Sequence, residues 1–311
     1  MAEMVIVGSM ALDSVKTPFD EVDRVVGGAA VYAAAAASLL APPRVVGVVG
    51  GDFPEEALEF LAARGADLEG VESLPDGKSF YWSGVYDYAL SDRETLATEL
   101  NVFADFNPTL PASWRDSRYC FLANIQPQVQ LAVLDQLDET CFVMCDTMNL
   151  WIEHERAALA EVLARVDLAL LNDAEVRQLA DTPNLAEAAA RVLDMGPRLL
   201  VIKKGEYGAT LVSRDDYFSI PSYPLPNVVD PTGAGDSFAG GMVGLLARRD
   251  DCCSTELRRA VAFGTVIASA CCEGFSLDGL KRLDQAELAR RYDVLRDIVR
   301  FDAMEWEEFG A

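Results

Sequence analysis

Val228-Val229-Asp230-Pro231-Thr232-Gly233-Ala234-Gly235-Asp236-Ser237-Phe238-Ala239-Gly240-Gly241 is the stretch from which the fold of this chain can be read. An apolar lead-in, a turn bracketed by glycines and an apolar run to Leu246 predict a strand or loop feeding a helix that begins near Gly235. Gly233 and Gly235 carry no Cβ, so the backbone can take unusual φ/ψ angles and approach a ligand closely, while the unpaired N–H groups of the first helical turn face outward. Those donors, with the positive end of the helix dipole, suit a phosphate oxygen or a phosphoryl group in transfer. Asp236 needs a separate reason, because a carboxylate beside a phosphate cradle repels the ligand. An Asp in the first turn of a helix is a common cap; the chemical role that would justify it is to take a proton from an attacking hydroxyl. Spacing excludes two other phosphate loops. A dinucleotide G-x-G-x-x-G needs glycine where Phe238 stands, and a Walker A loop ending in Gly77-Lys78-Ser79 needs glycine at Glu72.

Upstream, short apolar runs end in glycine or a polar residue and alternate with helical patterns. Residues 4–8 and 45–51 read as buried strands with glycine exits, and 54–64 as a helix stopped by Gly65. Residues 120–123, 141–145 and 168–171 repeat the rhythm, which is that of βαβ units in a parallel sheet. Ligands of such sheets bind beyond the strands' carboxyl ends, where Asp13, Asn124, Asp146 and Asn149 fall. Asn124 is therefore a candidate acceptor ligand, and helix capping is the structural alternative for it. Residues 29–40 are an alanine-rich helix opened by Gly27-Gly28. Residues 80–88 are aromatic and alternate, and with 95–106 they predict an antiparallel insertion. Alternation puts Phe80, Trp82, Tyr86 and Tyr88 on one face of that strand and Tyr81 on the other. Residues 199–212 read as strand, glycine turn and strand, and 284–309 as an amphipathic surface helix.

The run Asp230-Pro231-Thr232-Gly233-Ala234-Gly235-Asp236, followed by Phe238 and Gly240-Gly241, resembles the C-terminal signature of the ribokinase-like (PfkB) family of sugar and nucleoside kinases. The resemblance covers nearly the whole chain. It implies one α/β domain over 1–311, a central, mostly parallel sheet flanked by helices, with a small β-lid drawn from about 13–25 and 76–106. It implies transfer of the γ-phosphoryl group of ATP, with Mg2+, to a hydroxyl of a sugar. A nucleoside acceptor, or a sugar-sensing relative without turnover, is the alternative. On this reading Gly233, Ala234 and Gly235 form the anion hole and Asp236 is the base. Asp13, Gly27 and Gly28 hold the acceptor, while Lys204, Gly205, Gly208 and Thr232 face the nucleotide. Asn172 and Glu175 match an N-x-x-E motif that organises Mg2+ partly through water, as suits a hard cation that keeps several waters. Relatives also bind an activating monovalent cation such as K+ near 273–276, with no side-chain ligand transferable to this chain. One departure concerns the acceptor: ribokinases carry Asn where Tyr32 stands. Tyr32, Tyr81, Trp82 and Phe103 offer surfaces on which a base could stack, whereas Asp13 favours a sugar.

Composition bounds the remainder. About half of the 311 residues are apolar, enough for a sizeable core, and no run of about 18 apolar residues occurs, so a cytoplasmic protein is expected. Seven cysteines without a C-x-x-C predict reduced thiols, and the single His154 lacks the partner, at Ala158, that a zincin helix requires. The net charge of −24 argues against nucleic acid and anionic membrane as partners, and a homodimer is an open option. With only five lysines, that acidity suggests adaptation to high salt.

Overall fold

Runs of Val, Ile and Leu with no polar face are stable as strands only inside a sheet covered on both sides. In the computed structural model, which describes residues 1–90 and 93–302, they form the middle of a nine-stranded sheet. Its members are β1 (Met4–Val7), β4 (Arg44–Gly50), β5 (Asp67–Leu74), β8 (Tyr119–Leu122), β9 (Phe142–Asp146), β10 (Leu168–Asn172), β11 (Leu199–Lys203), β12 (Ala209–Val212) and β13 (Tyr217–Ile220). The order is β13-β12-β11-β10-β9-β8-β1-β4-β5, parallel from β11 to β5 and antiparallel at β12 and β13. From β1 the chain moves outward to β4 and β5, then returns to β8 on the other flank. Strand order therefore reverses between β1 and β8, and the crevice beyond their carboxyl ends is where such a sheet takes ligand.

A second sheet of order β3-β2-β6-β7 stands over that crevice, built from β2 (Ala11–Lys16), β3 (Glu21–Gly27), β6 (Phe80–Tyr86) and β7 (Arg93–Glu99). β6 and β7 are antiparallel as expected, but β2 and β6 run parallel, because the chain passes through β4 and β5 between them. The insertion ends earlier than its aromatic pattern indicates: residues Asn101–Asp105 are a short 3-10 helix whose Phe103 stacks on Phe106 and Phe80. Tyr88 lies beyond β6, is exposed and meets Phe19 edge-on, so it leaves the face assigned to it by alternation.

The helix Ala29–Ala37 is buried throughout and packs on the helix Ala234–Arg249. A Cβ on Gly240 would lie 2.2 Å from the Ala33 carbonyl oxygen, and one on Gly244 2.9 Å from that of Ala37. The alanine run and the spaced glycines are thus two halves of one backbone-to-backbone contact, which fixes the start of the second helix beside Gly27-Gly28. All seven cysteines are free thiols, four of them buried. The C-terminal helix spans Gln285–Ile298, capped by Asp284; residues 303–309 of its expected extent lie outside the described residues. Among the described residues no helix is long and apolar enough to cross a membrane.

Candidate active site

The glycine turn is held from both ends. Buried Asp230 accepts the Thr232 N–H at 2.9 Å, and Gly233 caps the helix Ala234–Arg249 in the left-handed region, at φ 76°. The Tyr32 ring fills the space beneath it: a Cβ on Gly233 would lie 2.4 Å from ring carbons. Tyr32 therefore supports the loop from beneath. Because the cap is Gly233, Asp236 is not needed as one. Its carboxylate is raised to about 6, by burial first and Asp146 second, against the pull of Lys203 and Arg93.

The opposite wall is the inner face of the small sheet. Asp13 lies within β2 rather than in the turn after β1, and in parallel register with Trp82, so the two side chains share a face. Burial, then Asp230 and Asp236, lifts the Asp13 carboxyl to about 7, opposed by Arg93 and by a hydrogen bond from the Gly28 N–H. Gly27 is required by Asp13 itself: a Cβ there would overlap the carboxylate, 1.9 Å from Oδ2. Tyr86 pairs with Arg93 across β6 and β7, and the Thr232 hydroxyl donates to the Tyr86 hydroxyl at 3.1 Å. Arg93 also donates to Tyr86, lies 5.6 Å from the Trp82 ring and acts electrostatically on Asp13, Asp236 and Glu175. The small sheet and the anion loop are thereby joined through Tyr86.

The third wall is the carboxyl edge of β9, β10 and β11. Asn172 and Glu175 form a capping box: the Glu175 N–H donates to Asn172 Oδ1 at 2.8 Å, and the Asn172 N–H to Glu175 Oε2 at 2.7 Å. The structural and the metal-organising readings of this motif thus use the same two residues. Burial raises the Glu175 carboxyl, opposed by Lys203 and reinforced by Asp146. No group of three or more His, Cys, Asp or Glu able to hold a metal is present among the described residues. The donor set, hard oxygens with Glu175 Oε1 outside the capping box, fits Mg2+ that is carried by phosphate and water rather than caged by protein.

Three candidates take different positions from those their sequence context suggests. Lys204 turns outward to Ser219 Oγ at 3.3 Å, and its neighbour Lys203 reaches the site, 2.5 Å from Asp146 Oδ2. Asn124 Oδ1 accepts from the Trp151 indole at 3.0 Å, which ties the end of β8 to the helix Asn149–His154. Gly208, at φ 86°, lies against the Ile220 carbonyl and serves the hairpin, whereas Gly205 has open space around it. Lys203 and Arg93 were not expected at the site, whereas alternation had placed Tyr86 on the same strand face as Trp82. Alternation along β11 distinguishes Lys203 from Lys204 once the strand end is known, whereas Arg93 is revealed only by its register with Tyr86.

The pfkB family of carbohydrate kinases matches residues 1–279. A cytidine kinase of Thermococcus kodakarensis is 29% identical over 270 residues, 84% of this chain and 95% of that protein. Fructokinase-2 of Oryza sativa subsp. japonica is 31% identical over 131 residues, 40% of this chain and 38% of its own length. Among solved structures, the nucleoside kinase of Methanocaldococcus jannaschii superposes with a TM-score of 0.75 at 18% identity, covering 94% of this chain and 99% of that one. A ribokinase II of E. coli in complex with ATP and Mg2+ gives 0.73 at 21%, over 94% and 100%. These superpositions establish the ribokinase-like fold. The glycine turn at the switch-point crevice and the match over 1–279 lead to one assignment: the chain belongs to the pfkB family of carbohydrate kinases and is a phosphotransferase with an alcohol group as acceptor.

Proposed function

We propose that the chain is an ATP-dependent nucleoside kinase in which Asp236 is the base and the small sheet is the lid over the acceptor. A carboxyl raised to about 6 is ionised at neutral pH yet basic enough to take a proton. The acceptor O–H proton passes to Asp236 as the oxygen forms its bond to the γ-phosphorus. The bond from that phosphorus to the bridging oxygen breaks, and its electron pair leaves with ADP. The N–H groups of Gly233 and Gly235 and the helix dipole would meet the charge gathering on the transferring group, whereas the Ala234 N–H is engaged by the Pro231 carbonyl at 3.1 Å. Glu175, oriented by Asn172, is the residue that would hold a nucleotide-borne Mg2+ through water, and the charge of such an ion would offset that of the phosphates.

The observation that carries the nucleoside reading is the pairing of Asp13 with Trp82 on the inner face of the small sheet. Asp13 suits ribose hydroxyls, and Trp82 supplies beside it a ring on which a planar base can stack. The extensive likeness to a cytidine kinase supports the same choice. A bare sugar, the acceptor favoured by Asp13 alone, is supported by the shorter likeness to fructokinases. The experiment compares kcat/KM over nucleosides and sugars for wild type, Asp13→Ala and Trp82→Ala. Cytidine or another nucleoside should lead, with Asp13→Ala collapsing and Trp82→Ala losing about tenfold, the scale of a stacking contact. A sugar as best acceptor, with Trp82→Ala within about twofold of wild type, would refute the nucleoside reading.

A further inference from the structure

The helix Ser254–Cys271 has different neighbours at its two ends. At the crevice end the Cys272 carbonyl accepts the Val229 N–H at 2.8 Å and the Cys271 thiol donates to the Thr232 carbonyl at 3.4 Å, so the anion loop rests on it. Some ~18 Å away along the helix, at 1.5 Å per residue, this helix, β13 and the helix Gln285–Ile298 leave a groove between them of about 150 Å³. Phe218, Tyr292 and Val299 give the groove an apolar floor, and Arg258, Arg259 and Arg296 border it. Each guanidinium has a carboxylate neighbour: Asp216 at 2.6 Å from Arg258, Glu256 at 2.5 Å from Arg259, and Asp293 at 3.0 Å with Asp297 at 3.6 Å from Arg296. None of these carboxylates lines the groove, and a guanidinium carries donors for more than one partner. The surface offered there is apolar with arginine donors, on a chain whose net charge is −24.

Val299 belongs to the groove and directly follows the helix Gln285–Ile298, so the next residues start from the groove's edge. Ile298, Val299 and Phe301 are exposed there, which leaves an apolar patch beside the floor. The sequence continues with Ala303-Met304-Glu305-Trp306-Glu307-Glu308-Phe309, which carries three glutamates, no cation and three large apolar side chains. An acidic surface repels such a segment almost everywhere, whereas an apolar groove bordered by arginines attracts both its rings and its charge. Trp306 is at most ~25 Å of extended chain from Val299, which is ample for the segment to turn back. We propose that residues 303–311 lie as a strap over this groove, with Trp306 seated on its apolar floor and the glutamates paired with its arginines. The strap steadies, from the side away from the crevice, the helix on which the anion loop rests. The proposal does not depend on which acceptor the crevice takes.

The test follows Trp306 by fluorine NMR in the whole chain labelled with fluorotryptophan, where Trp306→Phe identifies its signal among those of the four tryptophans. In wild type that signal should stand apart from that of the free amino acid and show the small solvent isotope shift, between water and heavy water, of a buried ring. Arg259→Glu combined with Arg296→Glu should return it to the free position and lower the melting temperature by roughly 2–4 °C, as should Trp306→Ala alone. Adding Trp306→Ala to the arginine pair should then cost little more, because both changes remove the same interaction. If the arginine pair does not fold, Glu305→Gln, Glu307→Gln and Glu308→Gln combined make the same comparison from the side of the strap. A wild-type signal at the free position, a signal that the charge changes leave in place, or fully additive losses of stability would each overturn the proposal. So would a displaced signal that appears only at concentrations where sedimentation shows a dimer, which assigns the groove to the same segment of a second copy.

Discussion

Asp13→Asn should make the protein more stable and less active. The carboxyl is 5% exposed and lifted from 3.8 to about 7 by burial and by Asp230 and Asp236. In the unfolded chain it ionises near its ordinary value, whereas in the folded chain it keeps its proton until about pH 7. Between those values the folded state binds more protons, so this group lowers stability as pH rises. At about 1.36 kcal/mol for each pH unit between the two values, the ceiling is about 4 kcal/mol above pH 7, and about half of that is expected once neighbouring carboxylates share the field. Asparagine has the same shape, fits beside Gly27 and still accepts the Gly28 N–H. Urea unfolding of both proteins without ligand, at pH 4, 6 and 8, checks this: the two should coincide near pH 4 and the variant should gain roughly 2 kcal/mol by pH 8. A variant less stable than wild type at pH 8, or a gain that does not shrink toward pH 4, would refute the reasoning. Its kcat/KM should fall by more than about tenfold, since the same group is proposed to hold the acceptor.

Three further outcomes follow from the same geometry. The kcat/KM of wild type should fall with unit slope below about pH 6 as Asp236 takes its proton, and a profile flat down to pH 5 would exclude that group as the base. Gly233→Ala forces a side chain to φ 76° and into the Tyr32 ring, so chemical denaturation should register a loss of at least about 1–2 kcal/mol, with turnover falling with it. With a net charge of −24, the melting temperature should rise between about 0.1 M and 1 M salt, as the screening length drops from ~10 Å to ~3 Å; a flat or falling trend would count against salt adaptation.

The glycine turn and the strand rhythm were legible because their information is local. Gly233 and Gly235 specify a backbone shape within one loop, and each strand carries its own apolar run and exit. The positions of Lys203 and Arg93 depend on facts that no local window holds. Adjacent lysines at a strand end face opposite ways, so choosing between Lys203 and Lys204 requires knowing that β11 stops at Lys203. Arg93 reaches the crevice through its pairing with Tyr86, past a register shift between Ser83 and Gly84 that periodicity cannot anticipate. Asp13 illustrates the converse: its importance and its place at the start of a lid segment of about 13–25 were readable, but not the parallel register with a strand far along the chain that sets it beside Trp82. Asn172 and Glu175 satisfy a helix start and a metal-organising motif with one arrangement, so sequence could not separate the two.

Single-turnover transfer from γ-labelled ATP to cytidine, followed near neutral pH for wild type and Asp236→Asn, bears on the base, the loop and the acceptor together. Wild type should yield labelled nucleoside monophosphate. Asp236→Asn, which keeps the shape and removes the base, should be slower by about 10²-fold or more while its affinity for ATP stays within a few-fold. Wild type that labels neither cytidine nor any other nucleoside, or Asp236→Asn transferring within a few-fold of wild type, would contradict this account.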